Sequence, residues 1–136
     1  MDDKKSTRIF LLPKRPIDMA NNEKAVKSAY LTAEERKLCK MAALQLDLAT
    51  LEDFYSEAIS WYLKVHKDFP FEFAKKPDAK CVSIWMTEDL SKKVDKTTAR
   101  TGVSVANFMH TAFVLYLEKH GYFEGEFYID WPGRDK

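Results

Sequence analysis

The sequence predicts a mainly α-helical protein with a small β ribbon, built from two strand-helix-helix units in tandem. Three observations predict it. Residues 24–66 are echoed by residues 79–120. The second copy opens on a stretch of period-two alternation that runs directly into a capped helix, and the first has its strand at the equivalent place before its own capped helix. A composition that is 46% apolar and 13% aromatic over 136 residues is enough for one compact core.

The echo holds residue by residue. At an offset of 55, Ser28, Tyr30, Leu31 and Thr32 pair with Ser83, Trp85, Met86 and Thr87. At an offset of 54, Phe54, Ala58, Tyr62, Leu63 and His66 pair with Phe108, Ala112, Tyr116, Leu117 and His120. One extra residue near Ala49 accounts for the change. Self-similarity on this scale marks duplicated supersecondary units, none of which buries its apolar face alone. Two copies are too few for a solenoid.

Residues 1–23 read as a basic N-terminal arm. Within it Ile9-Phe10-Leu11-Leu12, bounded by Pro13 and Pro16, suits a clip onto the body, an extra strand or the first strand itself. Lys24–Leu31 is the preferred first strand, because it stands directly before a capped helix as its counterpart does. Thr32 and Glu35 then form a capping box, and Leu38, Cys39, Ala42 and Leu46 make the inner stripe of the first helix. Asp47, which tolerates the left-handed region, closes it. Thr50 caps a second helix whose apolar rhythm is Leu51, Phe54, Ala58, Tyr62 and Leu63.

Residues 67–78 are a linker with two prolines, reaching more than about 30 Å when extended. In the second copy, Cys81 to Met86 alternates, with Val82, Ile84 and Met86 on one face and Cys81, Ser83 and Trp85 on the other. Thr87 caps the next helix, and Glu88 and Asp89 put negative charge where its dipole favours it. Leu90, Val94 and Thr97/Thr98 form the inner stripe up to Gly102, a residue suited to the left-handed helix stop. Ser104 caps the last helix, whose inner face runs through Val105, Phe108, Ala112, Leu115 and Tyr116. The C-terminal tail, residues 121–136, holds Tyr122, Phe123, Phe127, Tyr128 and Trp131, too aromatic for a solvated end. Covering the core is one role for it, and a protein-partner surface is the other.

The net charge of +1 hides a gradient. Residues 1–30 carry seven Lys and Arg against four Asp and Glu, whereas residues 121–136 carry two against four. A basic arm can neutralise phosphates and make binding to nucleic acid salt-sensitive, although a solvated tail carries the same charge. No stretch approaches the roughly 20 apolar residues that span a bilayer, and Met1-Asp2-Asp3-Lys4-Lys5 lacks a leader's apolar segment, so the expected location is the cytoplasm without membrane. Cys39 and Cys81 lack metal-ligand spacing and read as reduced. His66, His110 and His120 lack it too, so no metal site and no cofactor are expected, and no phosphate loop or nucleophile motif indicates an enzyme. His66 and His120 read as cations at helix ends, and Glu34-Glu35 as helix capping.

Val82-Ser83-Ile84-Trp85-Met86-Thr87-Glu88-Asp89-Leu90, the turn Thr101-Gly102-Val103-Ser104-Val105, and Thr111-Ala112 with Tyr116-Leu117 together resemble the ribbon-helix-helix fold of the Arc/MetJ class. With both copies the resemblance covers roughly 85 of the 136 residues. It is similar to the tandem, single-chain members found among TraY-type and T-DNA transfer accessory proteins as well as repressors. The resemblance implies two ribbon-helix-helix units fused as an intramolecular pseudo-dimer, a monomer that can build higher assemblies on DNA. Its antiparallel ribbon would lie in the major groove of double-stranded DNA.

On that reading Val26, Ser28, Tyr30, Cys81, Ser83 and Trp85 face the bases. Serine hydroxyls donate or accept at several bases, and apolar groups touch thymine methyls. The family more often carries Arg, Lys, Asn or Gln on that face, and here the candidates are flanking Lys24 and Lys80, with Lys27 on the other parity. Packing under the arm or the tail is the alternative for Tyr30 and Trp85. The second-helix N-termini, marked by Thr50, Leu51, Ser104 and Val105, together with Lys24 and Lys80, would meet phosphates. Ordinary capping predicts the same residues. Glu52 and Asp53 repel phosphate near the first cap, whereas Ala106 and Asn107 near the second do not. The rival function is a protein-binding module of antitoxin type that grips its partner through the C-terminal tail.

Overall fold

Among the described residues two eight-residue strands form, β1 (Lys24–Leu31) and β2 (Lys80–Thr87), the second from a segment of alternating parity and the first from its counterpart in the repeat. In the computed structural model, which describes residues 23–66, 73 and 75–122, they pair antiparallel along their whole length. The ribbon is about 26 Å long at the usual rise per residue. Its register puts Val26 opposite Trp85, Ser28 opposite Ser83 and Tyr30 opposite Cys81. Replacing each residue by its counterpart 55 positions away exchanges the first and third of these pairs and maps the Ser28 and Ser83 pair onto itself. β1 has the expected bounds, and β2 runs one residue beyond the Cys81–Met86 alternation at each end.

Among the described residues four helices stand behind the ribbon: α1 (Ala33–Gln45), α2 (Leu51–Val65), α3 (Glu88–Thr101) and α4 (Val105–Lys119). Every N-terminus is capped by the expected hydroxyl. Thr32, Thr50, Thr87 and Ser104 accept from the backbone amides of Glu35, Asp53, Leu90 and Asn107. At Thr32 the box is reciprocal, with Glu35 Oε1 accepting from the Thr32 amide at 2.9 Å. The helix-to-helix turns use the predicted left-handed residues, Asp47 at φ 60° and Gly102 at φ 80°. A side chain at Gly102 would meet no atom within 4 Å, so its requirement for glycine is conformational.

The helices bind the two units together across the ribbon. α4 packs on β1 and α2 on β2, so each second helix covers the other unit's strand. Ala29, Leu31, Ile84 and Met86 point into this core and are at most 3% exposed. Two aromatic contacts repeat the exchange seen in the ribbon: Phe54 meets Tyr116 at 5.6 Å, and its counterpart Phe108 meets Tyr62 at 4.9 Å between centroids. Neither unit has a complete core of its own, since the apolar face of each strand is closed by a helix 80 or so residues away or by α2 of the preceding copy.

Two helices are buried more widely than their periodicity indicates. α2 also buries Tyr55 and Ile59 beside Phe54, Ala58 and Tyr62. α4 is enclosed on all sides from Phe108 to Leu115, while Val105 and Tyr116 of its expected inner face are only half-buried. The cause is its central place, with α1, α2, α3 and β1 all against it. The connection to β2 crosses α4 as well: the Phe73 amide donates to Thr111 Oγ1 at 2.7 Å, and the Phe73 carbonyl lies 2.8 Å from His110 Nδ1.

That contact belongs to a buried polar cluster joining the copies. His110 Nε2 lies 3.0 Å from Glu35 Oε2, and Lys76 Nζ lies 3.9 Å from the same oxygen. Both ring nitrogens of His110 thus face acceptors of distant segments. Burial alone would raise the Glu35 pKa, but the His110 and Thr32 hydrogen bonds and the charges of His110 and Lys76 outweigh it. They hold the carboxyl below its ordinary value. Glu35 therefore does more than cap a helix.

The expectation of cationic His66 and His120 at helix ends needs correcting. Burial lowers both pKa values, and Arg100 near His66 and Lys119 near His120 push the same way. Their rings serve packing instead, edge-on to Tyr62 and Phe108 for His66 and to Tyr116 for His120. The arm, most of the linker and the tail beyond Tyr122 lie outside the described residues. So does the Ile9-Phe10-Leu11-Leu12 run. Among the described residues no helix is long and apolar enough to cross a membrane.

Candidate nucleic-acid interface

Strand parity decides what the ribbon shows to solvent. Once Ala29, Leu31, Ile84 and Met86 are drawn into the core, Val26, Ser28, Tyr30, Cys81, Ser83 and Trp85 must emerge on the opposite face. All six do. Ser28, Cys81 and Ser83 are exposed, Val26 and Trp85 are 49% and 47% exposed, and Tyr30 is half-buried. The face is thus a row of cross-strand pairs with serines at its centre and apolar or aromatic groups on either side. Its width and relief are those of a two-stranded ribbon, which the major groove of B-DNA admits.

The cations around this face are unequally available. Lys24 and Lys80 are exposed at opposite ends of the ribbon. Lys24 Nζ is hydrogen-bonded to Glu52 of α2, so one cation is held by an acid of its own copy. Lys27, on the inward parity, is tied to Asp95 of α3 at 2.6 Å. Lys80 lines a cleft of about 570 Å³ with Arg36, Thr32 and Cys81, where β1 enters α1 and the linker enters β2. Lys75 places its ammonium 4.2 Å from the centre of the Tyr30 ring. Neither Arg36 nor Lys75 is visible as part of the face in the sequence. No period links linker or helix positions to a strand; the folded connection brings Lys75 there, and the first turn of α1 brings Arg36.

The second-helix N-termini stand behind the ribbon's edges with unlike chemistry. Thr50 is exposed and Leu51 half-buried, with Glu52 and Asp53 in the first turn of α2. Ser104 is exposed and Val105 half-buried, with no acid in the first turn of α4. Each cap hydroxyl accepts from its N3 amide, as in ordinary capping. Earlier amides of the turn and the positive dipole end remain as anion-attracting features, cancelled by carboxylates in the first copy only.

Both cysteines are free thiols, Cys39 buried and Cys81 exposed on the ribbon. Burial pushes the Cys39 thiol far up, which leaves it inert as a nucleophile. Among the described residues no group of three or more His, Cys, Asp or Glu could hold a metal ion. Comparison with protein-family models, with curated proteins and with solved structures returns no match.

Proposed function

We propose that this protein binds double-stranded DNA, laying its two-stranded ribbon in the major groove, as a regulator of transcription or an accessory factor of DNA transfer such as conjugation. The observation that carries the reading is the ribbon face. Six side chains from two distant segments form one solvent-facing surface, in a register that maps onto itself under exchange of the copies. The exchanged packing of α2 and α4, and the paired contacts of Phe54 with Tyr116 and Phe108 with Tyr62, support treating the chain as an intramolecular pseudo-dimer. In this role the protein is cytoplasmic, needs no cofactor or metal, and is not an enzyme. Val26, Ser28, Tyr30, Cys81, Ser83 and Trp85 face base edges. Ser104, Val105 and Lys80, with Lys24, Thr50 and Leu51 on the weaker side, meet phosphates.

The test is titration of a labelled mixed-sequence duplex at rising salt. Binding at low ionic strength that weakens linearly on a logarithmic salt scale is expected. Deleting residues 1–23 should reduce affinity equally on all sequences if the arm is a phosphate contact. Absence of binding at low ionic strength rules the proposal out.

A protein-partner role has its own support on a different surface. Leu44 is 79% and Met41 40% exposed on α1, and Tyr122, where the tail begins, is hydrogen-bonded to the neighbouring Gln45. Leu44→Lys separates the two readings, because it leaves DNA binding unchanged and abolishes a partner contact made there.

A further inference from the structure

The outward ribbon face is chemically lopsided along its length. At one end Val26 and Trp85 stand directly opposite each other, each about half exposed among the described residues. Opposed residues in a ribbon lie about 5 Å apart, so the two form one apolar spot. At the other end the counterpart pair is Tyr30 and Cys81, and there Lys75 lies over the tyrosine ring. Lys24, two residues before Val26 on the same face, is engaged by Glu52.

The base edges in the major groove differ in what they require. Guanine offers two acceptors and calls for Arg or Lys, adenine offers a donor and an acceptor and calls for Asn or Gln, and cytosine offers a donor and calls for a carboxylate. Thymine alone presents a methyl group. Val26 has no polar side-chain atom, and Trp85 has only its indole N–H, a donor without an acceptor. Resting on the DNA reading above, we infer that Val26 and Trp85 are a thymine-methyl reader, and that this protein selects A·T pairs under one end of its ribbon through the C5-methyl group. The opposite end lies four residues away along β1, about 13 Å, or on the order of four base-pair steps. The preference is therefore confined to one half of the site.

Alternating poly(dA-dT) and poly(dA-dU) duplexes differ only in that methyl group, and competition between them at low salt, using the full chain, tests the inference. The expected result is a preference for poly(dA-dT) of about fourfold for each buried methyl. Trp85→Ala and, separately, Val26→Ser should bring the ratio towards one while leaving the helical circular dichroism unchanged. Cys81→Ala, at the far end, should preserve the ratio. Equal affinity of the intact chain for both polymers overturns methyl reading and leaves the DNA proposal standing. Binding to neither polymer overturns the DNA proposal itself. A preference that survives both Trp85→Ala and Val26→Ser overturns the assignment to this pair.

Discussion

The first and second repeats share a backbone plan, yet they carry different chemistry at equivalent places. Caps, turns and ring contacts correspond: Thr32 with Thr87, Asp47 with Gly102, Phe54 against Tyr116 with Phe108 against Tyr62. The charges do not correspond. Glu35 and His110 form a buried pair, whereas their counterparts are Leu90 and Ser56. The first turn of α2 is acidic and that of α4 is not. Duplication thus preserves whatever the fold needs locally, while single-copy features fix how the copies sit together and what each half presents outward.

The largest test of that contrast is to separate the repeats. Because α2 closes over β2 and α4 over β1, the two halves expressed singly should each lose cooperative unfolding, followed by helical circular dichroism, and regain it on mixing. Independent folding of residues 1–73 would break the claim of a shared core.

The single-copy charge cluster comes next. His110→Ala removes a buried hydrogen-bond partner of Glu35 and should cost about 1–3 kcal/mol in urea unfolding. Ser56→Ala, at the equivalent place, should stay within about 0.5 kcal/mol. The same cluster sets an acid limit. The Glu35 pKa is lower folded than unfolded, so its contribution is complete above the ordinary value of 4.5 and is lost as pH falls through the folded value. Stability measured from pH 6 down should fall less steeply in Glu35→Gln.

The two left-handed turns give a smaller contrast. Gly102→Ala should destabilise by about 1–2 kcal/mol through backbone conformation alone. Asp47→Gly should change stability less, because relief of φ strain is offset by a freer unfolded chain. Similar losses at both positions would mean that the turns are not equivalent.

Much of the frame is legible in the sequence because it is local. Alternation over Cys81–Met86 fixes the parity of β2, the repeat carries it to Lys24–Leu31, and parity brings out the six ribbon residues. The Thr and Ser caps and the Asp47 and Gly102 stops act within four residues of themselves. What is not legible depends on distant segments. Nothing near His110 indicates that Glu35, 75 positions earlier, and the Phe73 carbonyl will meet its ring nitrogens. The burial of α4 on all sides follows from its central position, not from a periodic face. Lys75 reaches the ribbon's end only through the path of the connection, and Arg36 through the first turn of α1 as it leaves β1.

The smallest expected effects concern DNA and sharpen the difference between the halves. Glu52→Ala frees Lys24 and removes an acid from a helix N-terminus, so affinity at low salt should rise about two- to fivefold. Ala106→Glu should lower it by a similar factor, making the second half resemble the first. Equal and negligible effects would mean that the second-helix ends do not meet phosphate.

The central claim is that the ribbon face meets duplex DNA. Its most direct test is the two-dimensional amide NMR spectrum of the full chain titrated with a short duplex. Perturbation concentrated in β1, in β2 and at the first turn of α4, with α1 around Met41 and Leu44 unmoved, is the predicted result. Perturbation centred on α1, with Ser28, Ser83 and Trp85 unaffected, would contradict it.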